Sequence, residues 1–199
     1  SADYDLGLEG FLVSDILSSN VKSKRVQNVN GDIRYWDLEN EYGCVRLFRD
    51  FVQKELKSRV SLISPKIVVM VNVIQSGVTE NGSGGGWHVD SVRRQLKFFK
   101  YLEPCTSKEQ GPLTYLSCGI SLFDKAVIYL NRVFGMKSRF SSRSISLLKA
   151  IGWKEYSFLE NTSKVLVGDT SYIHRGLPII SGRRILMTAY IFDQSIPPS

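Results

Sequence analysis

The stretch Gly86-Trp87-His88-Val89-Asp90 decides how this chain reads. His88 and His174 are the only two histidines in 199 residues, and the first stands two positions before a carboxylate. Two imidazoles and a carboxylate, in the order His-x-Asp and then a distant His, form the ligand set of a facial triad. Such a site holds Fe(II) on one face and leaves the opposite positions open. A strand alternates its side chains with period two, so His88 and Asp90 share a face if they close a strand. The glycines at 82 and 84 to 86 let the backbone turn sharply just before them. His174 lies in Gly168-Asp169-Thr170-Ser171-Tyr172-Ile173-His174-Arg175-Gly176, which reads as another strand leading to a turn. A His-x-Asp triplet alone is common, and lone histidines are more often core or surface residues than ligands. The combination with a glycine-rich entry and a β-rich chain favours the metal.

The surroundings of both segments are strand-like. Ile67 to Ile74 is β-branched and apolar, and Gln95 to Leu102 alternates around Leu96, Phe98 and Lys100. Leu113 to Leu116, Lys164 to Val167 and Ile185 to Phe192 supply further strands, with turns at Gly111-Pro112, Gly168-Asp169 and Ser181-Gly182. Short strands spaced by loops predict an all-β core with flanking helices, a sandwich or jelly roll. Between Val45 and Leu56 the pairs Leu47/Phe48 and Phe51/Val52, then Leu56, form the stripe of an amphipathic helix. The part about 1–62 therefore reads as mostly helical. A helical insert about 119–160, with helices at 123–134 and 144–151, divides a β core about 63–118 and 161–193. Helical inserts at a barrel mouth commonly act as lids or substrate-selecting elements.

A chain of 22.5 kDa with 43% hydrophobic and 23% charged residues suits a single domain. The longest apolar run, Ile67 to Val71, falls far short of the roughly 20 residues of a membrane span, and no secretory leader is read at the start. Cys44, Cys105 and Cys118 show no paired spacing, so neither a disulfide framework nor a zinc knuckle is expected, and a reducing cytoplasm is the simplest setting. The formal net charge is +7. Most of the surplus falls between Ser121 and Glu155, on Lys125, Arg132, Lys137, Arg139, Arg143, Lys149 and Lys154. A focused positive region draws anionic partners, although a solvated face is as good a reading. Nucleic acid would call for exposed aromatics among these cations. Tyr129, Phe134, Phe140 and Trp153 stand instead at helical spacing, where core packing is expected. A small or carrier-linked anionic substrate is therefore favoured over DNA or RNA.

Trp87-His88-Val89-Asp90, then Leu96 to Leu102 with its Tyr101-Leu102 end, then Gly111-Pro112-Leu113-Thr114-Tyr115, resemble the phytanoyl-CoA dioxygenase-like family of Fe(II)/2-oxoglutarate oxygenases. Asp169 to Gly176 and on to Arg184 resemble that family's distal-histidine region, so the likeness covers roughly residues 67–116 and 164–193. The resemblance implies a double-stranded β-helix, cupin-like in build, with iron on His88, Asp90 and His174. It implies 2-oxoglutarate and O2 as cosubstrates, hydroxylation with release of succinate and CO2, and an arginine on the distal carboxylate. Family spacing puts that arginine ten or eleven residues after the distal histidine, which makes Arg184 the first choice and Arg183 the reserve. A guanidinium suits the task because its fork matches a carboxylate and stays charged. Lys97, Asn72, Tyr101 and Thr188 are candidate helpers to the cosubstrate, and Trp87, Tyr172 and Tyr101 candidate pocket walls.

The chain departs from the family pattern at Ser117-Cys118-Gly119, where no histidine follows the Gly-Pro strand, and in the insert, which has no counterpart. Asp90 leaves no vacancy for a halide, against a halogenase. Two alternatives stay open: a non-catalytic cupin-like metal- or sugar-binding protein, and a nucleic-acid-directed oxygenase.

Overall fold

Alternation along two long strands organises the molecule. In the computed structural model, residues 6–29, 31–38, 42–59, 65–77, 85–91, 93–134 and 138–193 are described. The glycines at 82 and 84, Gly135 and Lys137 lie outside them. Helix α1 (Leu6–Leu17) leads to the hairpin β1 (Ser23–Val29) and β2 (Asp32–Leu38), then α2 (Gly43–Arg59) and β3 (Pro65–Gln75). β4 (Leu96–Tyr101) and β5 (Leu113–Ser117) precede the insert helices α3 (Ser121–Val133) and α4 (Ser142–Ala150). β6 (Lys154–Ser157), β7 (Leu166–Asp169), β8 (His174–Gly176) and β9 (Arg183–Asp193) complete the order.

The strands form a six-stranded sheet, β1-β2-β3-β9-β4-β7, facing a three-stranded one, β6-β5-β8. All the pairings are antiparallel. On β3 and β9, Val69, Val71, Val73, Ile185, Met187 and Ala189 point to one side. There they pack with Leu12 of α1 and with Phe48, Val52 and Leu56 of α2 in the principal core. The alternate residues, Met70, Asn72, Arg184, Leu186, Thr188 and Tyr190, turn to the gap between the sheets. The sandwich is thus dry on its helical side and keeps polar groups for its interior.

Strands β3, β4, β5 and β9 lie where the apolar runs predict them, and the run at Lys164 to Val167 is displaced to Leu166–Asp169. The β1–β2 hairpin is a departure from the helical reading of the first segment. β1 is almost wholly exposed, so no period-two apolar signal marks it. β2 carries Asp32 and Arg34 toward the interior, which scrambles the expected pattern. The stretch 119–160 carries helices α3 and α4, but its end is not helical as expected: β6 (Lys154–Ser157) pairs with β5 and belongs to the small sheet. The aromatic residues of this stretch also divide. Phe140 and Trp153 join a second core with Ile128, Ile145 and Leu148, whereas Tyr129 and Phe134 are exposed rather than packed.

The principal core has a direct test. Phe48 is fully buried between α2 and the large sheet. Phe48→Ala should lower the unfolding free energy by about 3–5 kcal/mol, read as a shifted urea midpoint at unchanged slope.

Candidate metal centre

His88 is held by backbone rather than by a strand of its own. Its N–H donates to the His174 carbonyl at 3.0 Å, and the His174 N–H donates back at 2.9 Å. This single rung extends the small sheet past β8, and His88 makes a second rung to Arg139 of the insert. Val89 N donates to Ser138 O and Asp90 N to Thr170 O, both at 2.9 Å. The expected strand end is therefore a loop clamped on both sides. His174 likewise opens β8 after a turn at Thr170 to Ile173, instead of sitting in a strand that leads into one.

The clamp sets three donors together. Asp90 Oδ1 lies 3.6 Å from His88 Nε2, and Asp90 Oδ2 lies 3.5 Å from His174 Nε2. One ligand atom from each residue lies within 4.8 Å of the others, and the two imidazole centroids are 4.4 Å apart. Each Nδ1 stands against a carbonyl, His88 on Gly86 O at 2.7 Å and His174 on Tyr172 O at 2.9 Å. A carbonyl only accepts, so Nδ1 carries the proton and the Nε2 lone pair is left toward the carboxylate. Burial pushes both imidazoles below their ordinary range, His174 to about 4, so they are neutral near pH 7. For Asp90, burial works to raise the carboxyl, but the Lys97 charge and its hydrogen bond to the carboxylate hold the group low. Two neutral imidazoles and an ionised carboxylate on one focus fit a divalent first-row cation such as Fe(II).

Lys97 lies beside this focus. Its ammonium donates to Asp90 Oδ2 at 2.6 Å and sits 4.2 Å over the Tyr190 ring. Both line a cavity of about 170 Å³ between the sheets, together with the triad, Arg34, Thr188 and Arg184. Arg184 is only 7% exposed. Its Nη1 donates to the Gly111 carbonyl, its Nε has no partner, and no carboxylate pairs with it among the described residues. A Cβ at Gly176 would stand 2.6 Å from both terminal nitrogens, so only glycine there admits the guanidinium. Gly176 is two residues along β8 from His174, about 6.6 Å at ~3.3 Å per residue. The neighbouring Arg183 points the other way, as period two demands. It is held at the surface by Glu103, with Nε to Oε2 at 2.7 Å.

The other expected helpers divide. Asn72 lines the cavity but serves Asp32, whose buried carboxylate also takes Arg34 Nε at 3.0 Å and Nη2 at 2.9 Å. Tyr101 is a pin between strands, accepting from Leu113 N at 2.9 Å and donating to Phe158 O at 3.0 Å. Trp87 belongs to the second core and is capped by Arg175 at 4.6 Å, and neither ring lines the cavity at the triad. Tyr172 does line a cavity, a larger one of about 560 Å³, with Tyr115, Tyr156, Phe158 and Asp169. Tyr115 stacks on His174 with centroids 5.5 Å apart, and its buried hydroxyl has no partner. Sequence reasoning missed Arg34, Asp32 and Tyr115. The first two fell in the stretch read as helical, and the only signal for Tyr115 was its place on β5 opposite His174.

No family model and no curated protein sequence matches the chain. Solved structures do match its fold. HygX from Streptomyces hygroscopicus, with nickel and 2-oxoglutarate bound, gives a TM-score of 0.63 at 12% identity, over 96% of this chain and 80% of that one. AviO1 from Streptomyces viridochromogenes Tue57 gives 0.56 at 15% identity, over 98% and 85%. A prolyl hydroxylase from Trichoplax adhaerens, in complex with a peptide fragment of the hypoxia-inducible factor oxygen degradation domain, gives 0.58 at 14%, over 96% and 79%. At these identities the likeness is one of architecture: the chain is a double-stranded β-helix with flanking helices, built like these proteins.

Proposed function

We propose that this chain is an Fe(II)/2-oxoglutarate-dependent oxygenase that hydroxylates a small anionic substrate, free or carrier-linked, and releases succinate and CO2. One observation carries the reading: the His88–Asp90–His174 focus and a buried guanidinium with no acidic partner among the described residues open into the same small cavity. A buried cation left unpaired is costly, so such a cavity is built for an anion. His88, Asp90 and His174 would hold the metal, and Arg184 the distal carboxylate of the cosubstrate. Fe(II) with 2-oxoglutarate and O2 supplies the oxidising power when bound. The chain's own part is to orient and to exclude water. The Gly86 and Tyr172 carbonyls fix the imidazole tautomers, Lys97 steadies the Asp90 carboxylate, and Thr188 lines the cavity.

The resemblance to phytanoyl-CoA dioxygenase-like oxygenases supports the same class. HygX is also known with hygromycin B bound, which is in keeping with a small-molecule substrate. Arg139 beside His88 favours a negative charge on it. Cys44, Cys105 and Cys118 are joined by no disulfide among the described residues, which supports a reducing, cytoplasmic setting.

Anaerobic titration of Fe(II)-loaded protein with 2-oxoglutarate should raise a weak visible charge-transfer band at about 500 nm. His174→Ala should abolish it. Metal bound without the band in the wild type sinks the oxygenase and leaves a non-catalytic cupin-like metal- or sugar-binding protein. Arg184→Ala should keep the metal but weaken 2-oxoglutarate by at least about thirtyfold in calorimetry, whereas Arg183→Ala should change it little. Gly176→Ala, which pushes the guanidinium aside, should lose 2-oxoglutarate affinity with Arg184 still present. Full affinity in that variant would mean that Arg184 is not the carboxylate's partner.

A further inference from the structure

The insert presents a face that neither the triad nor the fold uses. On α3, Ile128 turns inward against Leu116, Ile145 and Leu148. Asp124 is also buried, its carboxylate taken by Ser117 Oγ at 2.5 Å and Cys118 N at 3.1 Å. The opposite side carries Leu122, Phe123, Tyr129, Leu130, Val133 and Phe134, each more than half exposed, with Leu122 at 78% and Phe134 at 76%. Leu122 and Phe123, Ala126 one turn on, and then Tyr129, Leu130, Val133 and Phe134 fall on one side of the helix as an apolar stripe. Single exposed apolar residues are ordinary, but a stripe with two phenylalanines, a tyrosine and two leucines is an interaction surface.

The exposed charges of the insert point to what covers the stripe. Arg132 and Arg143 are exposed on the two insert helices. The acidic residues offer no counterweight, because Asp124 is buried and Glu155 is held by Lys149 at 2.6 Å. A second copy of the chain would set cations against cations across the stripe, which disfavours a self-paired face. An anionic bilayer meets both features, since its acyl boundary takes the apolar side of a basic amphipathic helix and its headgroups take the cations.

We propose that α3 is a membrane-surface anchor that lies in the interface of an anionic lipid bilayer, with Leu122, Phe123, Leu130 and Phe134 as the inserted residues. The side of α3 opposite the stripe walls the 560 Å³ cavity, through Ser121 and Asp124, and is left free by docking. No helix among the described residues is long and apolar enough to span a membrane, and the anchor is peripheral.

The test is co-sedimentation of the full chain with vesicles of equal parts phosphatidylcholine and phosphatidylserine, against pure phosphatidylcholine. It needs neither metal nor cosubstrate, so its outcome is independent of the oxygenase reading. The wild type should sediment with the anionic vesicles and stay in solution with the neutral ones. Leu122→Ser/Phe134→Ser, and separately Arg132→Glu/Arg143→Glu, should each cut partitioning by at least about tenfold with an unchanged circular dichroism spectrum. These residues are exposed, so the fold should survive either pair. No binding by the wild type, equal binding to both vesicles, or unchanged binding by both variants overturns the anchor. So does a dimer in sedimentation velocity that Phe134→Ser abolishes, which would put a second copy on this face.

Discussion

The reciprocal pair of backbone hydrogen bonds between His88 and His174 is the constraint on which the site depends. It joins two segments 86 positions apart in the chain. With the rung in place, the His88 loop and the start of β8 run side by side, and Asp90 falls between the two Nε2 atoms. The backbone then acts a second time, because the carbonyls of Gly86 and Tyr172 choose the protonated nitrogen of each ring. Metal-ready donors follow from main-chain geometry, with little asked of neighbouring side chains. The site is accordingly sensitive to how the loop is clamped, including its contacts with Ser138 and Arg139 of the insert. An insert that only covered the surface would not need to share hydrogen bonds with the ligand loop.

Much of this was legible in the sequence, and the remainder was hidden for identifiable reasons. The apolar runs of β3 and β9 are long enough to report a buried sheet, and the scarcity of histidine made His88 and His174 stand out. The choice between Arg183 and Arg184 as the inward residue follows from parity on β9 once the buried face of Ile185 and Met187 is known. The hairpin was not legible. β1 is an edge strand wet on both faces, and β2 turns Asp32 and Arg34 to the interior, so neither shows the alternation by which strands are recognised. The insert aromatics misled for the opposite reason. Helical spacing predicts burial only when something packs on the face, and α3 has its partner on the Ile128 side alone. Nothing local to the sequence says which side of a doubly apolar helix is covered.

Arg184 shows what the fold gives up for its cavity. Burial disfavours the charged guanidinium, which is reflected in a lowered pKa, with only the Gly111 carbonyl as a hydrogen-bond partner among the described residues. A leucine in its place would be the more stable choice by the usual arithmetic of buried charge. The surroundings are nonetheless shaped to keep it. Gly176 has no Cβ where the guanidinium lies, and Gly111, at a φ of 68°, adopts the left-handed conformation that turns its carbonyl into reach. Asp32 is close enough to favour the cation, yet its oxygens are occupied by Arg34 and Asn72, so it does not neutralise Arg184 directly. The result is a cation desolvated in advance, at the wall of the cavity, with an Nε that has no partner. Had Asp32 closed on it, the cavity would be electrically complete and an incoming carboxylate would have to displace an ion pair. Sequestering Asp32 with a second arginine keeps the pole open, and this gives the β1–β2 hairpin a reason to belong to the large sheet.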